Sequence, residues 1–218
     1  MSEQFYELHC NDCLAFLSTL KDKSIDVIIT DPPYGISLPR TEKTYGDRPD
    51  LARKATDASW DDAPPPPEFF SEIRRVSKEQ IIFGGNFFLD WLPSTKCYIV
   101  WDKRGTMPDV PYSPVEWLWT SFDKTPKRYI VINHGFIKDS KEERVHPTQK
   151  PLLLLERIVE DFTKQGDVIL DPYMGSGTTG EACIKLGRSF IGVDIQQRWV
   201  DYTESRIEKA WLETEDEE

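Results

Sequence analysis

The chain has 218 residues, 39% hydrophobic and 12% aromatic, which suits one domain of ordinary size with a real core. A formal charge of −11 excludes a protein that holds nucleic acid by bulk charge, while leaving a local basic groove open. No apolar run approaches a membrane span, and Met1-Ser2-Glu3-Gln4 lacks the regions of a signal peptide, so a cytoplasmic protein without a membrane partner is expected.

Phe5 to Cys10 reads as a strand that stops at Asn11-Asp12. Asp12 is a good N-cap for a helix opening near Cys13, and its carboxylate has lone pairs enough to face a ligand as well. The four cysteines are Cys10, Cys13, Cys97 and Cys183. The expected compartment argues against disulfides. His9, Cys10 and Cys13 lack the second ligand pair of a structural zinc, so no metal is expected.

The β-branched run Ile25 to Thr30 reads as a buried strand, and it ends in Asp31-Pro32-Pro33-Tyr34. The two prolines fix φ and donate no N–H, so the backbone there is stiff and its carbonyls are acceptors. Asp31 adds a carboxylate and Tyr34 a flat face. Such a pocket suits a planar group carrying an NH₂; a merely stiff turn is the plainer alternative.

Residues 35–63 read as a long irregular loop, with Tyr45 and Trp60 as isolated aromatics and Arg40, Lys43, Arg48, Arg53 and Lys54 as local positive charge. Pro64 to Pro67 introduce a helix from Glu68 to about Ser77. A strand over Gln80–Phe83 ends in Gly84-Gly85-Asn86, and a short helix is expected over Phe87–Leu92. Strands follow at Lys96–Asp102, Glu116–Phe122 and Tyr129–Asn133, with Trp117 and Trp119 assigned to the core. His146-Pro147-Thr148-Gln149-Lys150-Pro151 leads into a helix over Leu152–Thr163. Thr148 or Gln149 is placed at its start and Pro151 near the first helical position, where free N–H groups favour an anion.

Val168-Ile169-Leu170 is a buried strand that runs into Asp171-Pro172-Tyr173-Met174-Gly175-Ser176-Gly177-Thr178 and a helix over Glu181–Leu186, stopped by Gly187. A strand over Ser189–Val193 ends at Asp194, and an amphipathic helix spans about Gln196–Glu213. Residues 213–218 form an acidic tail expected to be disordered. Strands and helices alternate, the pattern of an α/β fold with a mostly parallel sheet.

Strand, glycine loop, helix, strand and acid is the logic of a mononucleotide site, in which Asp194 is placed for ribose hydroxyls. The loop lacks the G-K-[ST] of a P-loop. An acid before the glycines would repel a pyrophosphate but suits a ligand with an ammonium group and a ribose, such as S-adenosyl-L-methionine.

The chain resembles the β class of DNA amino-methyltransferases, whose motif order is permuted. Asp31-Pro32-Pro33-Tyr34 matches the catalytic D-P-P-Y, Asp171 to Gly177 the cofactor loop, and His146 to Pro151 the motif before it. The blocks at Gly84-Gly85-Asn86, Trp101-Asp102-Lys103 and Trp117–Thr120 resemble small phage or prophage members. The resemblance implies a Rossmann-like S-adenosylmethionine-dependent methyltransferase fold, circularly permuted, with about seven strands, one of them antiparallel, and helices on both faces. It implies one catalytic domain over 1–212 without a large separate target-recognition domain. The strand over 5–10 should lie beside the one ending at Asp194, and the strands ending at Asp31 and Asp171 should be neighbours.

The activity implied is adenine-N6 methylation of double-stranded DNA, since D-P-P-Y goes mainly with adenine and S-P-P-Y with cytosine N4. The base is flipped out, Tyr34 stacks on it, and Asp31 with the Pro32 carbonyl accepts from its NH₂, Pro33 holding the turn. Asp171, Pro172 and the Gly175–Gly177 backbone, with Ser176 and Thr178, would hold the methionine part of the cofactor. Asp194 would take the ribose, Asp12 the adenine end, and Thr148 and Lys150 would lie near the carboxylate. Only about forty residues separate Arg104 from His146, so sequence specificity would come from the 35–63, 104–114 or 134–145 loops or from a second subunit, which leaves a homodimer open. Lys124, Lys127, Arg128, Lys138, Lys141 and Arg144 are candidate phosphate contacts. Cytosine-N4 methylation, methylation of RNA or a protein amide, and a catalytically silent DNA-binding protein on the same scaffold are the competing readings; restriction–modification, phage defence and regulation are all open settings.

Overall fold

The structure is a computed structural model that describes residues 4–36, 61–106, 113–134, 137–138, 145 and 148–215. The loop charges and aromatics expected between 37 and 60, and His146 and Pro147, lie outside the described residues.

The chain runs β1 (Tyr6–Cys10), α1 (Cys13–Thr19), β2 (Ile25–Thr30), α2 (Pro67–Val76), β3 (Ser77–Phe83), β4 (Tyr98–Asp102), β5 (Val115–Thr120), β6 (Lys127–Ile130), β7 (Asn133–His134), β8 (Ile137–Lys138), α3 (Leu152–Phe162), β9 (Val168–Asp171), α4 (Thr178–Lys185), β10 (Ser189–Asp194) and α5 (Gln197–Glu215). Eight strands form one sheet in the order β1-β10-β9-β2-β3-β5-β4-β6, and β7 with β8 makes a small separate ribbon. β5 pairs antiparallel with both β3 and β4, and every other pairing in the large sheet is parallel. The mostly parallel, Rossmann-like sheet with one reversed strand is thus as expected, with eight strands rather than about seven.

The two expected neighbourhoods are present. β1 lies on β10 with Cys10 opposite Asp194, and β2 lies on β9 with Ile28 opposite Leu170. The β-branched strands bury both faces, as parallel strands covered by helices must. Val27, Ile29, Ile81, Phe83 and Ile169 pack under α3, α4 and α5, whereas Ile28, Ile82, Leu170 and Ile191 pack under α1 and α2. Asp12 caps α1 by accepting from the Ala15 N–H at 2.9 Å. Trp119 is buried in the core and Trp117 packs half-buried against it.

Four local expectations are corrected. The helix expected over Phe87–Leu92 is a single 3₁₀ turn, Gly85–Phe87, entered through Gly84 at φ 65°. Pro151, rather than Thr148 or Gln149, is the N-cap of α3, with no side-chain cap. The strand expected over Tyr129–Asn133 is Lys127–Ile130 followed, after a break, by the short β7. Glu213 to Glu215, expected in a disordered tail, continue α5, whose Trp211 packs against Tyr6 with ring centroids 6.0 Å apart. Among the described residues all four cysteines are free thiols. Among those residues, too, no His, Cys, Asp and Glu side chains are grouped to hold a metal and no helix is long and apolar enough to cross a membrane.

Candidate active site

In a parallel sheet ligands gather beyond the carboxyl ends of the strands. Here β1, β2, β9 and β10 end at Cys10, Thr30, Asp171 and Asp194, and the residues that follow line one cavity of about 350 Å³. Of the residues expected to act, Asp12, Asp31, Pro33, Thr148, Lys150, Asp171, Pro172, Gly175, Ser176, Thr178 and Asp194 line it. Pro32, Tyr34 and Gly177 do not. Four carboxylates (Asp12, Asp31, Asp171 and Asp194) and one ammonium (Lys150) stand among the described lining residues, so the cavity favours a cationic ligand.

Asp171 is held at the end of β9 by the chain itself. Its Oδ1 accepts from the Thr30 hydroxyl at 2.8 Å and the Tyr173 N–H at 3.1 Å, and its Oδ2 from the Thr179 hydroxyl at 2.9 Å. Burial pushes this carboxyl up to about 7, the hydrogen bonds offset that only in part, and the charge of Asp31 adds to the rise. Asp194 accepts from the Gln196 N–H at 2.8 Å and the Gly175 N–H at 3.2 Å, which ties the glycine loop to the end of β10. Burial raises Asp194 as well.

The glycine loop divides into two roles. Gly175 lines the cavity. Gly177 lies behind it as the residue that starts α4, at φ +70°, and a Cβ there would stand 2.4 Å from the Thr203 methyl. Close packing against α5, and not ligand approach, requires glycine at 177. Arg206, also on α5, clamps the loop: its Nη1 donates to the Ser176 carbonyl at 3.1 Å and the Thr178 hydroxyl at 3.0 Å, while its Nε pairs with Glu181.

At the end of β2, Asp31 is half-buried and reaches the cavity. Its Oδ1 accepts from the Tyr34 hydroxyl at 2.5 Å, and its Oδ2 from the Lys150 ammonium. Burial raises the Asp31 carboxyl, and Lys150 offsets that only in part. Lys150, expected near a cofactor carboxylate, therefore directs its ammonium at Asp31, with Glu116 Oε2 at 3.7 Å and the Phe83 ring beneath it at 5.0 Å. Tyr34, expected to offer a face to a base, already stacks on Phe87 with centroids 4.8 Å apart at 17°. Gly84 fits beneath its edge, because a Cβ there would lie 2.3 Å from Tyr34 Cε1. Asp61 fixes the turn, its Oδ1 accepting from the N–H groups of Tyr34 at 2.9 Å and Gly35 at 3.2 Å.

Glu116, Asp61, Thr30, Thr179 and Arg206 were not signalled by sequence. Thr179 reaches Asp171 eight residues back across the glycine loop, and the others act through partners more distant in the chain, so that only the folded pairing exposes them. Of the candidate phosphate contacts, Lys124 and Lys127 belong to the far end of the sheet. Lys127 opens β6 opposite Ile99, and Asp161, near the end of α3, takes both: Lys127 as an ion pair at 3.1 Å and Lys124 through its carbonyl at 2.9 Å. Arg128 pairs with Asp102 at 2.7 Å. Lys141, Arg144 and the side chain of Lys138 lie outside the described residues.

A family model described as DNA methylase, for N6 and N4 methyltransferases, matches residues 94–205. The chain is 29% identical over 243 residues to the type II methyltransferase M2.DpnII of Streptococcus pneumoniae, with 91% of this chain and 88% of that protein covered. Among solved structures it is similar to the complex of M1.HpyAVI with S-adenosyl-L-methionine, at a TM-score of 0.60 and 22% identity over 93% of this chain and 99% of that one. It is similar also to the cytosine-N4-specific PvuII DNA methyltransferase, at a TM-score of 0.64 and 15% identity over 100% and 95% of the two chains.

Proposed function

The chain belongs to the N6/N4 family of DNA methyltransferases, and from that premise we propose that it methylates the N6 amino group of a flipped adenine in double-stranded DNA. The observation that carries the proposal is the pairing of β2 with β9, which opens Asp31 of the D-P-P-Y turn and Asp171 of the glycine loop onto one cavity. Methyl acceptor and methyl donor then sit side by side.

The donor is S-adenosyl-L-methionine. The cavity fits it: a volume in the range of small-ligand sites, about 300–1,000 Å³, with carboxylates at the ends of β9 and β10 for an ammonium group and a ribose. Asp171, Pro172, Gly175, Ser176 and Thr178 would hold the methionine part, Asp194 the ribose and Asp12 the adenine end, with Thr148 beside them. When bound, the cofactor supplies an electrophilic methyl group on a sulfonium sulfur that departs as a neutral thioether.

The amino group of adenine conjugates into its ring and is a poor nucleophile. Asp31 and the Pro32 carbonyl accept from its two N–H bonds and draw the nitrogen toward tetrahedral geometry, so that its lone pair points at the methyl group. Tyr34 supports the base on the ring face that Phe87 leaves. As the N–C bond forms, the nitrogen becomes acidic and gives its proton to Asp31, whose raised carboxyl suits that task. Positioning and exclusion of water supply most of the rate.

The adenine assignment rests on the D-P-P-Y sequence, and nucleoside analysis tests it. Unmethylated double-stranded DNA is incubated with labelled S-adenosyl-L-methionine, digested and separated. N6-methyladenine is expected. N4-methylcytosine would move the chain to the other branch of its family, and label in RNA or protein alone would overturn the DNA substrate.

A further inference from the structure

Asp31 has both oxygens engaged, and one engagement opposes the chemistry assigned to it. Oδ1 accepts from the Tyr34 hydroxyl. Oδ2, the oxygen left for an incoming amino group, is in contact with the Lys150 ammonium. Methylation places positive charge on the acceptor nitrogen, and a fixed ammonium on the same carboxylate would repel it. A cation that must leave a buried carboxylate needs a second anionic seat, since an unpaired buried charge is costly.

Glu116 provides that seat. Its Oε1 accepts from Lys103 at 3.0 Å, which anchors the carboxylate on β5. Its Oε2 is shielded from solvent and has no hydrogen-bond partner. That oxygen lies 3.7 Å from Lys150 Nζ, just beyond a hydrogen bond. A buried acceptor without a partner is uncommon, and here it stands one short swing from the ammonium. Lys150 stands just before α3, and its ammonium already rides over the Phe83 ring, a surface along which it can slide.

We propose that Lys150 is a two-position cation, closing the acceptor oxygen of Asp31 in the free enzyme and moving onto Glu116 Oε2 when the amino group of the base arrives. Glu116 is then a positioning residue for methyl transfer, acting through Lys150 without touching the substrate. The inference rests on the role of Asp31 stated above. With the base absent, the cation offsets part of the burial that raises Asp31. With the base present, it withdraws and leaves Oδ2 free to accept.

The test is a comparison of Glu116→Gln, Lys150→Met and the double variant, each followed across the pH range in which the wild type is active. The wild type establishes that DNA is methylated at all, so a silent wild type counts against the functional reading and not against the cation shift. Glu116→Gln should lower kcat by about tenfold or more, the rate equivalent of one misplaced charge, with the KM for DNA and the affinity for S-adenosyl-L-methionine little changed. Adding Lys150→Met should then restore part of the lost rate, because a cation that is absent needs no second seat. A double variant as slow as Glu116→Gln or slower, or a Glu116→Gln enzyme at wild-type rate, would overturn the proposal. Independently of folding in the variants, a crystal structure of the wild type with DNA and S-adenosyl-L-homocysteine should show the Lys150 ammonium within hydrogen-bond distance of Glu116 Oε2; an ammonium still on Asp31 beside the bound base would refute it.

Discussion

Gly177→Ala separates packing from ligand binding in the glycine loop. The position has φ +70°, and the new methyl would meet Thr203 Cγ2 at 2.4 Å and Oγ1 at 2.6 Å. A left-handed alanine costs about 1–2 kcal/mol, and overpacking a tight contact adds about 1–3 kcal/mol, so a destabilisation of about 3 kcal/mol is expected in urea unfolding. Thr203 is fully buried and donates to the Gly175 carbonyl at 3.1 Å, so Thr203→Ala has its own cost. In the double variant the clash with Cγ2 and Oγ1 disappears, and a favourable coupling of about 1 kcal/mol or more should appear in the cycle. Because Gly177 does not line the cavity, the folded fraction of Gly177→Ala should bind S-adenosyl-L-methionine with an affinity close to wild type by calorimetry. A variant of wild-type stability that had lost cofactor binding, or a cycle without coupling, would refute the assignment of this glycine to packing.

Three further predictions concern the same machinery. Asp171 is raised from 3.8 to about 7, so the folded chain keeps a proton that the unfolded chain has already released between those values; stability should therefore fall as pH rises through that window, by up to about 4 kcal/mol from this group. Asp171→Asn should flatten that part of the pH profile in thermal melts. Tyr34→Phe removes the hydroxyl that donates to Asp31; a hydrogen bond to a charged group is worth about 1.5–3 kcal/mol, so kcat should fall roughly 10–100-fold with cofactor affinity unchanged in titration. Arg206→Ala leaves Glu181 with Lys185 alone and the Ser176–Thr178 loop without its clamp; stability should fall by about 2 kcal/mol, between an exposed and a broken buried pair, and cofactor affinity should fall with it, which binding at low temperature can separate from unfolding.

What could be read from sequence follows from how local each signal is. Strand ends were legible because β-branched runs stop at an acid, as at Thr30-Asp31 and Val193-Asp194, and an acid after a buried run marks where a strand leaves the core. The neighbourhood of β1 and β10 came from the motif order, and the register of Cys10 with Asp194 agrees with it. The Phe87–Leu92 helix failed because Gly84, which sits under Tyr34, takes a left-handed conformation that turns the chain into a 3₁₀ step. The tail failed because acidic composition says nothing of Trp211, whose packing on Tyr6 carries the helix on. Lys150 lines the cavity, but its contact with Asp31 was not legible: Asp31 is 119 residues away, and no pattern within the helix-start motif points to it. Glu116 was hidden for the same reason, since in Glu116-Trp117-Leu118-Trp119 it looks like one more alternating strand residue.

The most direct test of the account is Asp31→Ala, followed by donor binding and methyl transfer on the same preparation. Glu116 remains to neutralise Lys150, so the variant should fold and bind S-adenosyl-L-methionine with near wild-type affinity. Transfer to adenine in double-stranded DNA should fall by roughly 10²–10³-fold or more, as when a group that stabilises the transition state is lost. Transfer at the wild-type rate, or loss of donor binding in proportion to activity, would contradict the placement of the reaction at the end of β2.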